Sequence, residues 1–261
     1  MAEPGAPVTR GKRPPKGEPV VDRALALLAA FDRDHRQLGL LDLSRRAGLP
    51  KSSAARLADR LHHWGALERD ERGRYSIGLR LLEVAALAPR GQGLRELALP
   101  FMSDLAAAIH QHVLLVVRDG DVGLLIDRIS SHRALAPLYN PGDRLPLHST
   151  GAGLVLLAHA PEQFQRAVLA GDLLQEPERI PLSATALRRT LAAIRRERVA
   201  VLRRTHPVPL VTVAAPVVER GGDVVAALSV VVPEPTVDTR RLGGAVTTAA
   251  RGISRVLDDH G

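Results

Sequence analysis

The stretch Leu38-Gly39-Leu40-Leu41-Asp42-Leu43-Ser44-Arg45-Arg46-Ala47-Gly48-Leu49-Pro50-Lys51-Ser52-Ser53-Ala54-Ala55-Arg56-Leu57 decides how this chain is read. Leu38 and Leu40, separated by Gly39, suit a short strand. A short helix follows from about Asp42 to Ala47, and Gly48 is its stop signal. Pro50 then opens a third helix, because a proline in the first turn gives up no intrahelical bond. Within that helix Ala54, Leu57, Ala58 and Leu61 recur at helical spacing and form one apolar stripe. Ser52, Arg56, Arg60 and His63 share the opposite face, with Lys51 and Ser53 at the N-terminal end. Upstream, Val21, Ala24, Leu25, Leu28 and Phe31 mark an amphipathic helix. Downstream, Ala66–Arg69 and Arg74–Ile77 read as two short strands around the turn Asp70-Glu71-Arg72-Gly73. The unit predicted over 20–78 is a helix, a helix-turn-helix and a hairpin.

The chemistry of that unit suits double-stranded DNA. A helix with hydroxyls and free amides at its start, and arginine on its outer face, fits a major groove. The candidate contacts are Lys51, Ser52, Ser53, Ala55, Arg56 and Arg60 on the helix, with Arg72 and Arg74 in the hairpin. Arg56 has the fork to read a guanine edge, and Lys51 can neutralise a phosphate. The alternative is a solvated polar helix face beside a charged turn. Charge placement bears on the choice. Of 36 Lys and Arg against 28 Asp and Glu in 261 residues, the first 90 residues hold 17 against 11. An N-terminal surplus suits a polyanionic partner, although an arginine-rich composition also follows from coding bias. Residues 1–19, with Pro4, Pro7, Pro14, Pro15 and Pro19 among four basic side chains, read as a disordered basic arm.

Composition removes several classes. With no cysteine there are no disulfides, no thiol nucleophile and no thiolate metal site. The six aromatics are too few for stacking single-stranded bases. The first residues carry no apolar run of a secretory signal, and no apolar stretch approaches the roughly 20 residues that span a bilayer. A cytoplasmic protein without a membrane partner is expected.

Beyond Gly78, Leu79 to Leu87 is apolar and helical, with Leu79, Leu82 and Ala86 on one seam. A linker helix is expected over 79–94, near the breakers Pro89, Gly91 and Gly93. The second domain, 95–258, opens with a helix over Leu94 to His110. Strands follow at His112–Val117 and Val122–Ile129, joined by Asp119-Gly120-Asp121. Helices over Thr150 to His159, Pro161 to Ala170 and Ala184 to Arg198 precede strands Val208–Val218 and Val224–Val232, and a last helix runs from Val237 to Asp258. The fold class is therefore α+β, with a mixed sheet and helices shaped to shelter a small-molecule pocket.

These motifs resemble the IclR family of transcriptional regulators. The quoted run is similar to that family's winged helix, and Gly73-Arg74-Tyr75-Ser76-Ile77-Gly78-Leu79-Arg80-Leu81 to its wing and linker entry. The likeness continues through Arg144-Leu145-Pro146-Leu147-His148-Ser149-Thr150-Gly151-Ala152-Gly153, Ala214-Ala215-Pro216-Val217 and Ala226-Ala227-Leu228-Ser229-Val230. One departure is Leu41, where the family carries a capping Thr or Ser. The resemblance implies a winged helix-turn-helix joined by a linker helix to a GAF-like mixed α/β effector domain. It further implies an organic acid or aromatic metabolite as effector, no cofactor, a homodimer or dimer of dimers, and a pseudo-palindromic operator. Carried over singly, the effector contacts are Gly151 and Ala152 at a helix start, Thr212 and Ser229. Leu202 and Val231 stand where the family has an Asp and a second Ser, which implies a less polar pocket. The structural alternatives are that Gly151 and Gly153 permit close packing and that Ser229 satisfies its hydroxyl on backbone.

His148-Ser149-Thr150 is the one cluster that suggests a hydrolase. A serine nucleophile needs a base in reach and a group to orient it, and no Gly-x-Ser-x-Gly elbow is present. His110 and His112 have no carboxylate at metal-binding spacing. The third alternative is an interaction module that dimerises without sensing.

Overall fold

Three helices and a hairpin account for the N-terminal unit in the computed structural model: Val20–Ala29 (α1), Leu40–Arg46 (α2), Lys51–Trp64 (α3), and the strands Leu67–Arg69 (β1) and Tyr75–Ile77 (β2). The structure describes residues 19–88, 93–131, 134, 139–171, 173–175, 180–181, 183–205, 208–234 and 238–260. The arm over 1–19 therefore lies outside the described residues except for Pro19. The chain divides into two compact units between residues 88 and 89.

The first unit is held by one core of Leu27, Leu38, Leu43, Ala54, Ala58, Leu67 and Tyr75. The apolar stripe of α3 faces that core, while Lys51, Ser52, Arg56, Arg60 and His63 are exposed. Ser44 is buried inside the helix-turn-helix and donates to Leu49 O at 2.7 Å, which pins the turn. Two local expectations are corrected. Leu38 forms only a single bridge to Tyr75, and Leu40 already belongs to α2. The cap of α2 is Gly39, so Leu41 sits in the first turn, exposed, and is not a capping position.

After the hairpin, Leu79–Ala85 forms α4. The expected helix over 79–94 is shorter than read. Leu87 N and Ala88 N bond to carbonyls three residues back, at 3.1 and 3.0 Å, so the helix tightens and ends. Pro89 follows, and a residue before proline avoids the helical region. Leu79, Leu82, Val84 and Leu87 are exposed on this segment.

The second unit begins with Leu94–Ile109 (α5) and the hairpin His112–Asp119 (β3) and Val122–Ser130 (β4). Arg144–Pro146 (β5), Gly151–Ala158 (α6) and Glu162–Ala170 (α7) come next, then the two-residue strands Leu174–Gln175 (β6) and Ile180–Pro181 (β7). Ala184–Glu197 (α8), Ala200–Arg204 (β8), Leu210–Val218 (β9), Val224–Pro233 (β10) and Thr239–His260 (α9) complete it. Residue 237, the expected start of the last helix, lies outside the described residues. Six strands form one sheet in the order β5-β4-β3-β10-β9-β8, and every pair is antiparallel.

Alternation along these strands feeds two cores. Val113, Leu115, Val213, Ala215, Leu228 and Val230 pack under α5 and α9. Leu114, Val116, Ala214 and Ala227 face α6 and α8. Both faces are thus covered, which is why the strands read as nearly continuous apolar runs. Helix α6 (GAGLVLLA) has no polar side chain, and all eight of its residues are buried. No described helix is long and apolar enough to cross a membrane.

Candidate functional site

Four adjacent strands and the start of α6 enclose a cavity in the second unit. Its sheet wall is made by alternate residues of each strand: Leu114 and Val116 on β3, Ser229 and Val231 on β10, Leu210 and Thr212 on β9, and Leu202 and Arg204 on β8. Register explains the set, since Leu114 pairs with Ser229, Val231 with Thr212 and Thr212 with Leu202. Residues directly opposite across a ladder share a face. Ser149, Thr150, Gly151 and Ala152 close the other side, with Tyr139 and Leu145. The space between its walls is about 440 Å³.

Thr150 caps α6: its Oγ1 accepts from Gly153 N at 3.1 Å and donates to Pro146 O at 2.8 Å. The amides of Gly151 and Ala152 follow that cap in the first turn, where no carbonyl one turn earlier is available to them. Gly151 and Gly153 also serve packing. A Cβ on Gly151 would meet Thr212 Cγ2 at 2.5 Å, and one on Gly153 would meet Pro146 O at 2.6 Å. The structure thus brings Gly151, Ala152, Thr212 and Ser229 around one cavity, together with Leu202 and Val231. Ser229 is buried, and its hydroxyl makes no hydrogen bond among the described residues.

Besides Thr150 and Tyr139, two polar groups in this cavity were not singled out from sequence as effector contacts. Arg204 is 8% exposed, gives Nη1 to Tyr139 Oη at 2.8 Å, and keeps Nε buried without an acceptor. No carboxylate pairs with it among the described residues. Ser149 Oγ is likewise buried and unpartnered. A base would have to bond this oxygen to activate it, so the His148–Ser149 hydrolase reading has no geometry behind it.

On the first unit, α3 presents its polar face to solvent. Asp70 organises the hairpin turn. Its Oδ1 accepts from Arg72 N at 3.0 Å and Arg74 N at 2.8 Å, and its Oδ2 from Arg74 Nε at 2.9 Å. The backbone N–H of Arg74, helped by its guanidinium, holds the Asp70 carboxyl below the usual carboxylate range. Arg74 therefore supports the turn, while Arg72 is exposed at the tip.

Comparison with known proteins bears on both units. Residues 20–71 match the model of the IclR helix-turn-helix domain, and residues 87–255 that of the bacterial transcriptional regulator IclR C-terminal domain. The chain belongs to the IclR family of transcriptional regulators. It is 30% identical to the transcriptional repressor AllR of Escherichia coli over 96% of this chain and 97% of AllR. With the regulator XynR of the same organism it shares 29% identity over 91% of this chain and 96% of XynR. Among solved structures, it superposes with a TM-score of 0.86 on an IclR homologue from Microbacterium hydrocarbonoxydans complexed with 4-hydroxybenzoate. The identity there is 32%, covering 92% of this chain and 99% of that one.

This IclR-family protein is thus a DNA-binding transcriptional regulator with an effector-binding C-terminal domain, and not an enzyme. The winged helix and the α/β domain expected of the family are both built. Arg204 escaped the sequence reading because Arg203-Arg204 looks like a solvated pair. Strand alternation was the available signal: Arg203 points away and approaches Glu234 at 3.9 Å, and Arg204 points inward.

Proposed function

We propose that this regulator senses a small organic carboxylate, of aromatic or similar apolar body, in the cavity under α6. The observation that carries this reading is Arg204. A buried guanidinium without a counter-ion loses solvation that several kcal/mol of pairing would restore. A carboxylate meets a guanidinium with two parallel hydrogen bonds, and the amides of Gly151 and Ala152 favour negative charge at the helix start. Leu114, Val116, Leu202 and Val231 offer apolar walls to the rest of the ligand. The 4-hydroxybenzoate held by the Microbacterium homologue has this chemistry. Leu202 and Val231, apolar where hydroxyl or carboxylate side chains are expected in the family, favour a ring over a small hydroxylated acid.

On the DNA side, Lys51, Ser52, Ser53, Ala55, Arg56 and Arg60 form the DNA-contacting surface, with Arg72 reaching the backbone from the hairpin and Arg74 shaping it. Two copies joined along α4 match a pseudo-palindromic operator, and pairs of such dimers are the larger assembly. The exposed Leu79 and Leu82 support this pairing.

Calorimetric titration tests the sensor. Wild type is titrated with 4-hydroxybenzoate, with aliphatic carboxylates and with the neutral 4-hydroxybenzamide, and Arg204→Met with the same set. Carboxylates should bind wild type more tightly than the amide. Arg204→Met should lose about 1.5–3 kcal/mol of carboxylate affinity, the scale of a charged hydrogen bond, and little for the amide. Equal carboxylate affinity in wild type and Arg204→Met overturns the assignment.

A further inference from the structure

A second charged groove lies in the first unit, between α1 and α3. It is lined by Val20 and Arg23 on α1 and by Ser53, Arg56, Leu57, Asp59 and Arg60 on α3, and it opens onto about 950 Å³ of space. Three arginines face one carboxylate there. None of the three forms an ion pair among the described residues, Asp59 included. Arg23 is the telling member. It is half-buried, and its Nε is closed off from water with no acceptor in reach. The burial holds the Arg23 side chain in place, and three guanidinium groups against one carboxylate leave the groove with an excess of positive charge. A compact anion with several acceptor oxygens, met by the outer guanidinium nitrogens, balances that excess. The chain's own arm does not fit, because residues 1–18 carry Arg10, Lys12, Arg13 and Lys16 against Glu3 and Glu18.

We propose that this groove seats a backbone phosphate of bound DNA, with Arg23 and Arg60 as its cationic walls and Ser53 as a hydroxyl donor. The proposal rests on the reading of α3 as the DNA-contacting helix and extends the interface to α1. In sequence Arg23 was one polar position of an amphipathic helix, with no motif to mark it. Phosphate contacts fix the register of a protein on a duplex without reading bases. Arg23 accordingly positions α3, while Arg56, on the same helix, remains free to read a base edge.

The test uses fluorescence anisotropy with two probes: a duplex recovered by in vitro selection on the wild-type protein, and a random-sequence duplex of equal length. Affinity is followed across a fourfold rise in salt. Each phosphate neutralised contributes about 0.9 to the slope of log affinity against log salt, so removing one should make the fall across that range about 3.5-fold smaller. Arg23→Gln is expected to show this flattening on both duplexes and to keep its preference for the selected one. Arg60→Gln, an exposed position on the same groove, should give the same signature, so an unfolded Arg23→Gln does not end the test. A wild-type slope in the folded variants overturns the phosphate seat and leaves DNA binding by α3 standing. A flattened preference with an unchanged slope also overturns it, since the residue would then read a base. If selection on wild type recovers no duplex, the reading of α3 fails, and the phosphate seat with it.

Discussion

Gly151 carries two demands at once: its amide opens α6 beside the cavity, and its missing side chain lets α6 approach β9. The ideal Cβ would lie 2.5 Å from Thr212 Cγ2 and 3.1 Å from Thr212 Cβ, too close for a methyl group. Gly151→Ala is therefore expected to destabilise the second unit by about 1–3 kcal/mol, as overpacking does. Thr212→Ser removes Cγ2, so the double variant Gly151→Ala with Thr212→Ser should recover most of that loss. Chemical denaturation of the four proteins in the cycle measures the coupling, and additive losses would contradict the contact. A bulkier Gly151→Leu would meet β9 before it reached a ligand, so it reports on folding and not on sensing. At this scale the resemblance pointed to Gly151, Ala152, Thr212 and Ser229, and the structure gathers them around one cavity. Arg204, Tyr139 and the unpartnered Ser149 Oγ became visible as cavity lining only with the tertiary structure.

The junction between α3 and α4 shows what an element inherits from its neighbours. Gly78 N donates to Ala66 O at 2.8 Å, and a Cβ on Gly78 would fall 2.1 Å from Gly65 O. Two residues on, the Arg80 guanidinium lies over the Trp64 ring at 4.5 Å and gives Nη1 to Trp64 O at 2.9 Å. The first turn of α4 is thus latched to the end of α3. Arg80→Ala is expected to lose about 0.5–1 kcal/mol from the exposed cation–π contact alone. Trp64 is the chain's single tryptophan, so its emission reports directly on this latch. A shifted emission maximum with a lower urea midpoint is expected; an unchanged spectrum would show that the contact is not held in solution. Periodicity had marked both helices, whereas the latch depends on a backbone approach that no spacing rule encodes. The same limit applies to β8. Its Arg203 and Arg204 masked a five-residue edge strand, and only pairing with β9 brings out the alternation.

For the whole molecule, two units with separate cores divide the labour between DNA and effector. The proposed pairing of copies through α4 makes the operator contact bivalent, so its loss should be felt far beyond the seam. Leu79 is 70% and Leu82 60% exposed, and neither supports the core of its own unit. Leu79→Glu combined with Leu82→Glu is expected to leave thermal stability nearly unchanged, to yield monomers in sedimentation, and to weaken binding to a selected duplex about a hundredfold or more. Dimers of unchanged strength would move the pairing surface elsewhere. By itself the sequence determined the order of the helices, the apolar stripe of α3, the hairpin after it and the apolar runs of the central strands. Those properties follow from near-neighbour spacing at helical or strand period. Tertiary structure alone decided that Arg204 faces the cavity while Arg203 faces out, that Arg74 serves its own turn, and that Arg23 joins Arg56 and Arg60 in one groove. The first and third depend on register or packing between separate elements, and the second on the geometry of one turn. A one-residue slip of β8 against β9 would exchange the two arginines without altering a single local propensity.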